Sequence, residues 1–276
     1  APGRLDHAIT TYRLIMSANA DEARQLAQQL EEKNQQRQKL TEEFLARAKG
    51  QLGPAGAQQP ILVVGGEDYP SGIAGLIAGR LAEEFYRPAI VYELKESAAS
   101  GSARSIPEFN VVGALSQCSD LLQRFGGHPS AAGFGLAREN LEAFGGRLLE
   151  IAGRELAGVD LRPHLNVDIE MPLSSVTGKT FRLLERFAPF GQENPVPVFL
   201  SRRAAVVEHR PIGAASQHLR LRLRDGRVSW KAIAFDLGPN DSEIAPEIDI
   251  VYNLVRDRWN GEETLGLNIL DFAPST

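Results

Sequence analysis

The segment between residues 217 and 235 alternates between apolar and basic side chains, and no other feature of the sequence constrains the fold as strongly. Three leucines are interleaved with three arginines between residues 219 and 224, and the turn signal Asp225-Gly226 follows them. A period of two is typical of a β-strand with one buried face. An Asp-Gly pair between strand formers is typical of a β-hairpin. The sequence therefore predicts a hairpin with one apolar face and one basic face.

The basic face of this hairpin predicts a polyanionic ligand. With Asp225-Gly226 as the turn, we expect Arg224 to lie opposite Arg227 and no acid to share the face. Adjacent cations repel one another, which favours a polyanion over the alternative of a solvated strand face. The whole chain carries a net charge of −5, but residues 201–235 hold eight basic and two acidic side chains. Because salt screens charges at longer distances, the local charge of this segment determines whether it attracts a polyanion. The expected nucleic-acid contacts are His218, Arg220, Arg222, Arg224, Arg227 and Lys231.

The chain divides into three parts by composition and period. Residues 1–52 repeat apolar side chains at helical spacing, which predicts a long connecting helix. Residues 56–158 contain a strand, a helix and a second strand in succession, which predicts a βαβ unit with parallel strands. Residues 166–276 contain alternating strands with hairpin signals at Asp225-Gly226 and Asn260-Gly261, which suit a small antiparallel barrel. The predicted fold class is α/β plus all-β.

A glycine-rich segment is the candidate binding site of the first half. Gly126 and Gly127 are followed directly by His128. Paired glycines let a backbone approach a phosphate closely, and the imidazole can donate to a phosphate oxygen; the alternative is a tight turn that leads into the next strand. Arg104, in a segment that we predict to be a Gly/Ser turn, is either a forked donor to phosphate or an ordinary surface arginine.

The sequence contains no recognisable catalytic or metal-binding motif. It lacks a phosphate-binding loop and the common hydrolase signatures, and its five histidines are not at ligand spacing. Its single cysteine excludes a disulfide framework and a cysteine-ligated zinc site, and its apolar runs are too short for a membrane span. We therefore expect no catalytic residue, metal or cofactor in this chain, no membrane partner and a cytoplasmic location.

Several segments resemble parts of one enzyme family. Residues 70–81 (PSGIAGLIAGRL), 101–105 (GSARS) and 126–133 (GGHPSAAG) are similar to the landmarks of the DHH-associated domain of DHH-superfamily phosphoesterases. Residues 187–199 (FAPFGQENPVPVF) and the run His218-Leu219-Arg220 resemble the oligonucleotide-binding (OB) barrel of RecJ-type exonucleases, and residues 1–5 resemble the exit from their catalytic domain. Tyr69 and Ser71 depart from the His-Pro-Gly run that relatives often have.

This resemblance implies a fold and a function. It implies a DHH-associated α/β domain followed by an OB barrel, as parts of a 5′-to-3′ single-stranded-DNA exonuclease of repair and recombination. Mn²⁺ or Mg²⁺ would be held by a DHH domain before residue 1, and the partners would be single-stranded DNA and that domain. Two alternatives stay open, an oligoribonucleotide or dinucleotide phosphodiesterase of the same superfamily and a non-catalytic DNA-binding scaffold. The implied phosphate contacts are Ser102, Arg104, Ser105, Gly126, Gly127 and His128.

Overall fold

A computed structural model of the protein describes residues 8–259 and 262–275 and divides into two compact units, Ala1–Pro163 and His164–Thr276. The opening residues 1–5 and the predicted Asn260-Gly261 turn lie outside the described residues. Across the described part of the chain, none of the helices has the length and apolar character needed to cross a lipid bilayer.

The first unit begins with two helices, α1 (Ile9–Met16) and α2 (Ala20–Gly56). The side chain of Asn19 caps α2 by accepting from the backbone N–H groups of residues 21 and 22. Near its end, Gly53 adopts a left-handed conformation with φ of 57° and is followed by Pro54, so regular helix ends at this point. The predicted N-terminal helical segment is confirmed, but it consists of two helices, which are separated at residues 17–19.

A mixed sheet forms the body of the first unit. Its strands are β1 (Leu62–Gly66), β2 (Ala89–Leu94), β3 (Ala98–Arg104), β4 (Leu122–His128) and β5 (Ala131–Ala137), in the order β1-β2-β3-β5-β4. Strands β1 and β2 are parallel and joined by α3 (Ser71–Phe85), which confirms the predicted βαβ unit. The predicted Gly/Ser turn at residues 101–105 is wrong, because residues up to Arg104 belong to β3 and pair with β2 on one side and β5 on the other.

Helices cover the two faces of this sheet unequally. Helices α2 and α3 pack on one face through a core that includes Phe44, Ile77 and Val91. Helices α4 (Val111–Ser116) and α5 (Leu141–Glu155) contribute to a second core, which includes Phe134 and Phe144. Strand β4 is an edge strand, and its residues from Gln123 to His128 are exposed. The part of the sheet beyond α3 therefore remains accessible.

The second unit is a closed barrel. Its strands are β7 (Phe199–Ile212), β8 (His218–Asp225), β9 (Val228–Ala234), β10 (Glu247–Trp259) and β11 (Glu262–Pro274), accompanied by the short strand β6 (Ile169–Glu170) and by α6 (Gly178–Glu185). Strand β7 pairs with both β8 and β10, and β11 pairs with both β10 and β9, which closes the sheet. The OB-type barrel is confirmed, but its pairing is not wholly antiparallel, because β9 and β11 are parallel, as are β6 and β7.

The β8–β9 hairpin has the predicted faces but a different register. Asp225 pairs with Val228, so the turn is Gly226-Arg227 and Arg224 pairs with Ser229. The prediction that Arg227 lies opposite Arg224 is therefore wrong. The carboxylate of Asp225 accepts from the backbone N–H of Ser174 at 2.8 Å, which holds it in the strand. Gly226, with φ of 59°, takes the first central turn position, where a positive φ suits a hairpin.

Candidate substrate-binding surfaces

A pocket of about 400 Å³ lies where the start of α3 meets strands β3, β4 and β5. Glycines on β4 and β5 form an open floor, and hydroxyl and guanidinium groups form the polar part of the wall. An open pocket of this size, with several donors and a floor without side chains, suits an anionic group attached to a larger molecule. The polar lining comprises Ser71, Ser100, Ser102 and Arg124, and the floor includes Gly126 and Gly133.

The pairing register gathers most of the predicted phosphate contacts on one face of the sheet. Arg104 pairs with Ala131, which pairs with His128, so the arginine and the histidine flank β5 at a separation of two strand spacings, about 9–10 Å. The next row toward the pocket runs from Ser102 through Gly133 to Gly126.

Glycine is needed at positions 126 and 127 for different reasons. A Cβ on Gly126 would meet nothing within 4 Å in the described structure, so its missing side chain leaves room that a ligand can occupy. Gly127 has φ of 151°, and a Cβ there would lie 2.3 Å from the carbonyl oxygen of Ala131. The hairpin therefore requires glycine at position 127, whereas the open pocket accounts for glycine at position 126.

Arg104 and Ser102 lie against α3. A Cβ on Gly75 of that helix would be 2.7 Å from Nη2 of Arg104 and 3.5 Å from Oγ of Ser102. Nη1 of the arginine donates to the carbonyl oxygen of Ala103 at 2.7 Å, and the side chain is half-buried. These contacts hold the guanidinium beside the pocket at little further entropic cost.

Ser105 lies apart from the other predicted contacts. It follows the last residue of β3, and its hydroxyl donates to the carbonyl oxygen of Phe109 at 2.7 Å. Its backbone N–H donates to the carbonyl oxygen of Ser130 at 2.9 Å. The geometry of Ser105 is that of a residue that supports the β4–β5 turn.

The two residues that depart from the family pattern have different surroundings. Tyr69 is 1% exposed, and its hydroxyl donates to Oε1 of Gln51 at 2.9 Å. Burial raises the pKa of this hydroxyl. Ser71, in contrast, is exposed and lines the pocket. Tyr69 thus belongs to the core, and Ser71 belongs to the candidate site.

Sequence reasoning missed several residues of the pocket, including Ser71, Ser100 and Arg124. Arg124 stands two residues before Gly126 and four before His128, so strand periodicity would have placed it on their face. From the sequence alone, residues 112–125 are predicted to form one helix, and this prediction hides the signal. The helix ends at Ser116, and β4 begins at Leu122.

A larger groove, of about 910 Å³, lies on the outer face of the barrel. Arg222 pairs with Lys231, and Gly266 of β11 lies beside that lysine and pairs with Val255 of β10. The groove therefore extends from cations on β8 and β9 to an apolar wall on β11 and β10, and Glu208 and Arg210 of β7 also line it. Of the predicted nucleic-acid contacts, Arg220, Arg222 and Lys231 line it.

The groove carries a net positive charge, although one acidic side chain lines it. Oε2 of Glu208, on the neighbouring strand β7, lies 3.8 Å from Nε of Arg222, so an acid from outside the hairpin faces its cations. A bulge between Val206 and Glu208 gives β7 one extra residue and brings this acid opposite Arg222. Arg220 pairs across the strands with Arg210, and neither has an ion-pair partner in the described part of the chain. Cations therefore still outnumber acids in the groove.

An exposed aromatic ring lines the groove at Phe235. This side chain is 56% exposed, and its ring packs edge-on against the imidazole of His218 at 5.1 Å between centroids. Nδ1 of His218 accepts from the backbone N–H of Asp236 at 3.0 Å, so the histidine holds the end of β9. Trp230 lies in the barrel core, as its position on the apolar face predicts.

The described residues do not fit a catalytic metal site. Within residues 8–259 and 262–275, no group of three or more histidine, cysteine, aspartate or glutamate side chains converges closely enough to hold a metal ion. We therefore assign no chemical step of a metal to this chain.

Comparison with known families agrees with the two units. Residues 58–153 match the DHHA1 domain, and residues 167–271 match the RecJ OB domain. This chain matches the C-terminal part of RecJ proteins. RecJ of Bacillus subtilis, named a single-stranded-DNA-specific exonuclease, is 34% identical over the whole of this chain, which covers 36% of that protein.

Other RecJ proteins show the same relationship. RecJ of Thermus thermophilus is 31% identical over 98% of this chain and 38% of its own length. Its crystal structures with Mn²⁺ and with Mg²⁺ superpose on this chain with TM-scores of 0.78 and 0.77 at 28% sequence identity. The match to the Mn²⁺ structure covers 99% of this chain and 40% of the RecJ chain in that structure. The chain spans between 36% and 49% of the length of the curated RecJ proteins that it matches.

Proposed function

We propose that this chain is the substrate-binding part of a metal-dependent exonuclease that degrades single-stranded DNA in the 5′-to-3′ direction during repair and recombination. The observation that carries the proposal is that one chain holds both a glycine-floored pocket with Arg104 beside it and a basic groove on a barrel. Both surfaces suit contacts to the sugar-phosphate backbone, which carry no sequence information.

The groove suits an extended single strand. Arg220 and Arg222 stand one two-residue step apart on β8, about 6.5–7 Å, which is comparable to the distance between successive phosphates. Phe235 offers a ring on which a base can stack without regard to sequence. The apolar wall at Val255 provides further surface for bases.

In this proposal, the chemistry belongs to a DHH domain outside residues 1–276. Mn²⁺ or Mg²⁺ would bind to that domain, since the described residues offer no ligand set. The role of this chain is to hold a phosphate beside that domain, through Ser102, Arg104 and His128, and to retain the following strand on the barrel. A cytoplasmic location is part of the same proposal.

The barrel groove argues against a small-substrate phosphodiesterase. A dinucleotide needs only the pocket of about 400 Å³ on the first unit, whereas the groove of about 910 Å³ serves a longer chain. A long single strand therefore accounts for both the pocket and the groove, whereas a short oligoribonucleotide accounts for the pocket alone.

The test is the salt dependence of binding. The double variant Arg220→Ser/Arg222→Ser should bind a labelled thirty-residue oligothymidylate more weakly, and its log–log salt slope should shrink by about one to two units, near 0.7 for each lost phosphate contact. Arg154→Ser/Arg162→Ser is the control, because it removes the same charge from exposed residues of the first unit. Unchanged affinity and slope in the first double variant would refute the barrel groove as the binding surface.

A further inference from the structure

Arg124 faces the pocket of the first unit because of a β-bulge. Leu122 pairs with Leu136, but Arg124 pairs with Gly135, so Gln123 is an extra residue in β4. Leu136 is buried in the core on the other face of the sheet. In a regular strand, Arg124 would share the face of Leu122, two residues before it, since side chains alternate along a strand. The bulge thus turns the arginine toward the pocket.

Gly135 gives the arginine its path across the sheet. A Cβ on Gly135 would lie 3.0 Å from Nε and 3.2 Å from Cγ of Arg124, so the stem of the arginine runs directly over this glycine. Arg124 is exposed and has no ion-pair partner in the part of the chain that the structure describes. Glu93 lies in the same row on β2, but it pairs with Lys95 at 3.6 Å.

Cations therefore stand at both ends of the glycine floor. Arg124 pairs with Gly135 in the row of Ser100, and Arg104 lies in the row of His128, two rows away. Each row is a two-residue step of about 6.5–7 Å along the strands. The hydroxyls of Ser71 and Ser100 also line the pocket, and the start of α3 adds the positive end of a helix dipole.

We propose that Arg124, together with Ser71 and Ser100, binds a second phosphate of the nucleotide chain, separate from the phosphate beside Arg104 and His128. This inference rests on the proposed function and specifies its substrate. The pocket selects a chain with consecutive phosphates over a mononucleotide. Arg124 acts as a substrate-binding residue that fixes the direction of the strand across the glycine floor.

The experiment compares two ligands on the full chain. The ligands are thymidine 5′-monophosphate and 5′-phosphorylated trithymidylate, titrated calorimetrically against protein that carries Arg220→Ser/Arg222→Ser to weaken the barrel. Arg124→Gln should lower the affinity for the trinucleotide about five- to tenfold, as expected for one exposed charge-assisted contact, and reduce its salt slope by about 0.7. The affinity for the mononucleotide should not change.

Two further variants separate charge, position and folding. Gly135→Ala keeps the charge but forces the stem of Arg124 to move, so it should also weaken trinucleotide binding selectively. Arg154→Gln removes an exposed arginine from α5, on the opposite face of the sheet, and should have no effect on either ligand. Unchanged thermal unfolding of Arg124→Gln establishes that the variant is folded.

Three outcomes would overturn the inference. An unchanged preference for the trinucleotide in Arg124→Gln, or an equal loss for both ligands, would remove the second phosphate site and leave the proposed function intact. The absence of any binding of either ligand by the parent protein would refute the phosphate pocket itself and this inference with it. Intact binding of long oligothymidylate to the unmodified barrel would, in that case, still support the groove.

Discussion

Gly75 of α3 lies directly against the guanidinium of Arg104 of β3. A Cβ at this glycine would be only 2.7 Å from Nη2, closer than any ordinary contact. Gly79, one turn later in the same helix, would place its Cβ 4.0 Å from Cγ of the arginine. The helix therefore positions Arg104 through the absence of a single methyl group, and the neighbouring glycine provides a matched comparison.

We predict that Gly75→Ala displaces Arg104 and weakens binding of 5′-phosphorylated oligonucleotide several-fold. The fold should tolerate the change, because alanine is favoured over glycine in a helix by about 0.5–1 kcal/mol. This gain offsets the cost of moving the flexible end of the Arg104 side chain. Gly79→Ala gains the same helix propensity without touching the arginine closely. Titration of both variants should show a loss in Gly75→Ala alone, and equal affinities would contradict the positioning role.

The observed turn predicts unequal roles for two arginines of equal charge. Arg222 lines the barrel groove, whereas Arg227 is a turn residue outside its lining. Arg222→Ser should reduce the salt slope of oligothymidylate binding by about 0.7, the value for one phosphate contact. Arg227→Ser should reduce it by clearly less. Equal reductions would mean that net charge, and not position in the groove, governs binding.

Leu221 anchors the barrel under the basic face. It is 2% exposed and lies between two exposed arginines of β8. Leu221→Ala should lower the free energy of unfolding by about 2–5 kcal/mol through lost apolar contacts and a residual cavity. Arg222→Ala, at the adjacent exposed position, should change it by less than about 0.5 kcal/mol. Urea unfolding of the two variants gives the comparison, and a similar stability for both would contradict the assigned faces.

Asp249 makes the stability of the barrel depend on acid pH. Burial alone would raise its pKa, but hydrogen bonds from Ser275, the backbone N–H of Arg203 and the side chain of Arg202 outweigh burial and lower it. A lowered folded-state pKa stabilises the fold above the unfolded-state pKa of about 3.9. This contribution is lost as the pH falls through the folded-state value.

The wild type should therefore be more stable than Asp249→Asn at neutral pH, and the difference should shrink as the pH is lowered below about 4. Thermal unfolding of both proteins across this range measures the difference directly. Asp271→Asn serves as a control, since Asp271 is exposed and its side chain accepts only from the neighbouring N–H of Phe272 in the described structure. A constant difference between wild type and Asp249→Asn would refute the assignment.

Local periodicity sufficed to predict the faces of the β8–β9 hairpin but not its register. The apolar and basic faces follow from alternation alone, because every second side chain points the same way. The register depends on whether Asp225 belongs to the strand or the turn, and that is decided by its bond to Ser174, fifty-one residues away. No local pattern contains this contact.

The candidate pocket was predictable only in part, for a related reason. The glycines, Ser102, Arg104 and His128 stand in recognisable motifs. Arg124 lies on the face of His128 by simple alternation, but this signal is usable only once residues 122–128 are known to form a strand, and the bulge before Arg124 is defined only by the partner strand. Strand β3 escaped prediction because its small residues have weak strand propensity and are held by neighbours on both sides. The parallel pairing of β9 with β11 likewise has no local signal.

Because β11 bonds to both β9 and β10, the barrel cannot be completed on the ribosome until residues 262–274 have emerged. Before that moment, β9 and β10 each present an open edge, and the apolar partners of Leu267 and Ile269 have no cover. Open edges of this kind invite pairing with other nascent chains. Strand β11, the last strand of this barrel in chain order, is thus the one that protects the other barrel strands from neighbouring chains.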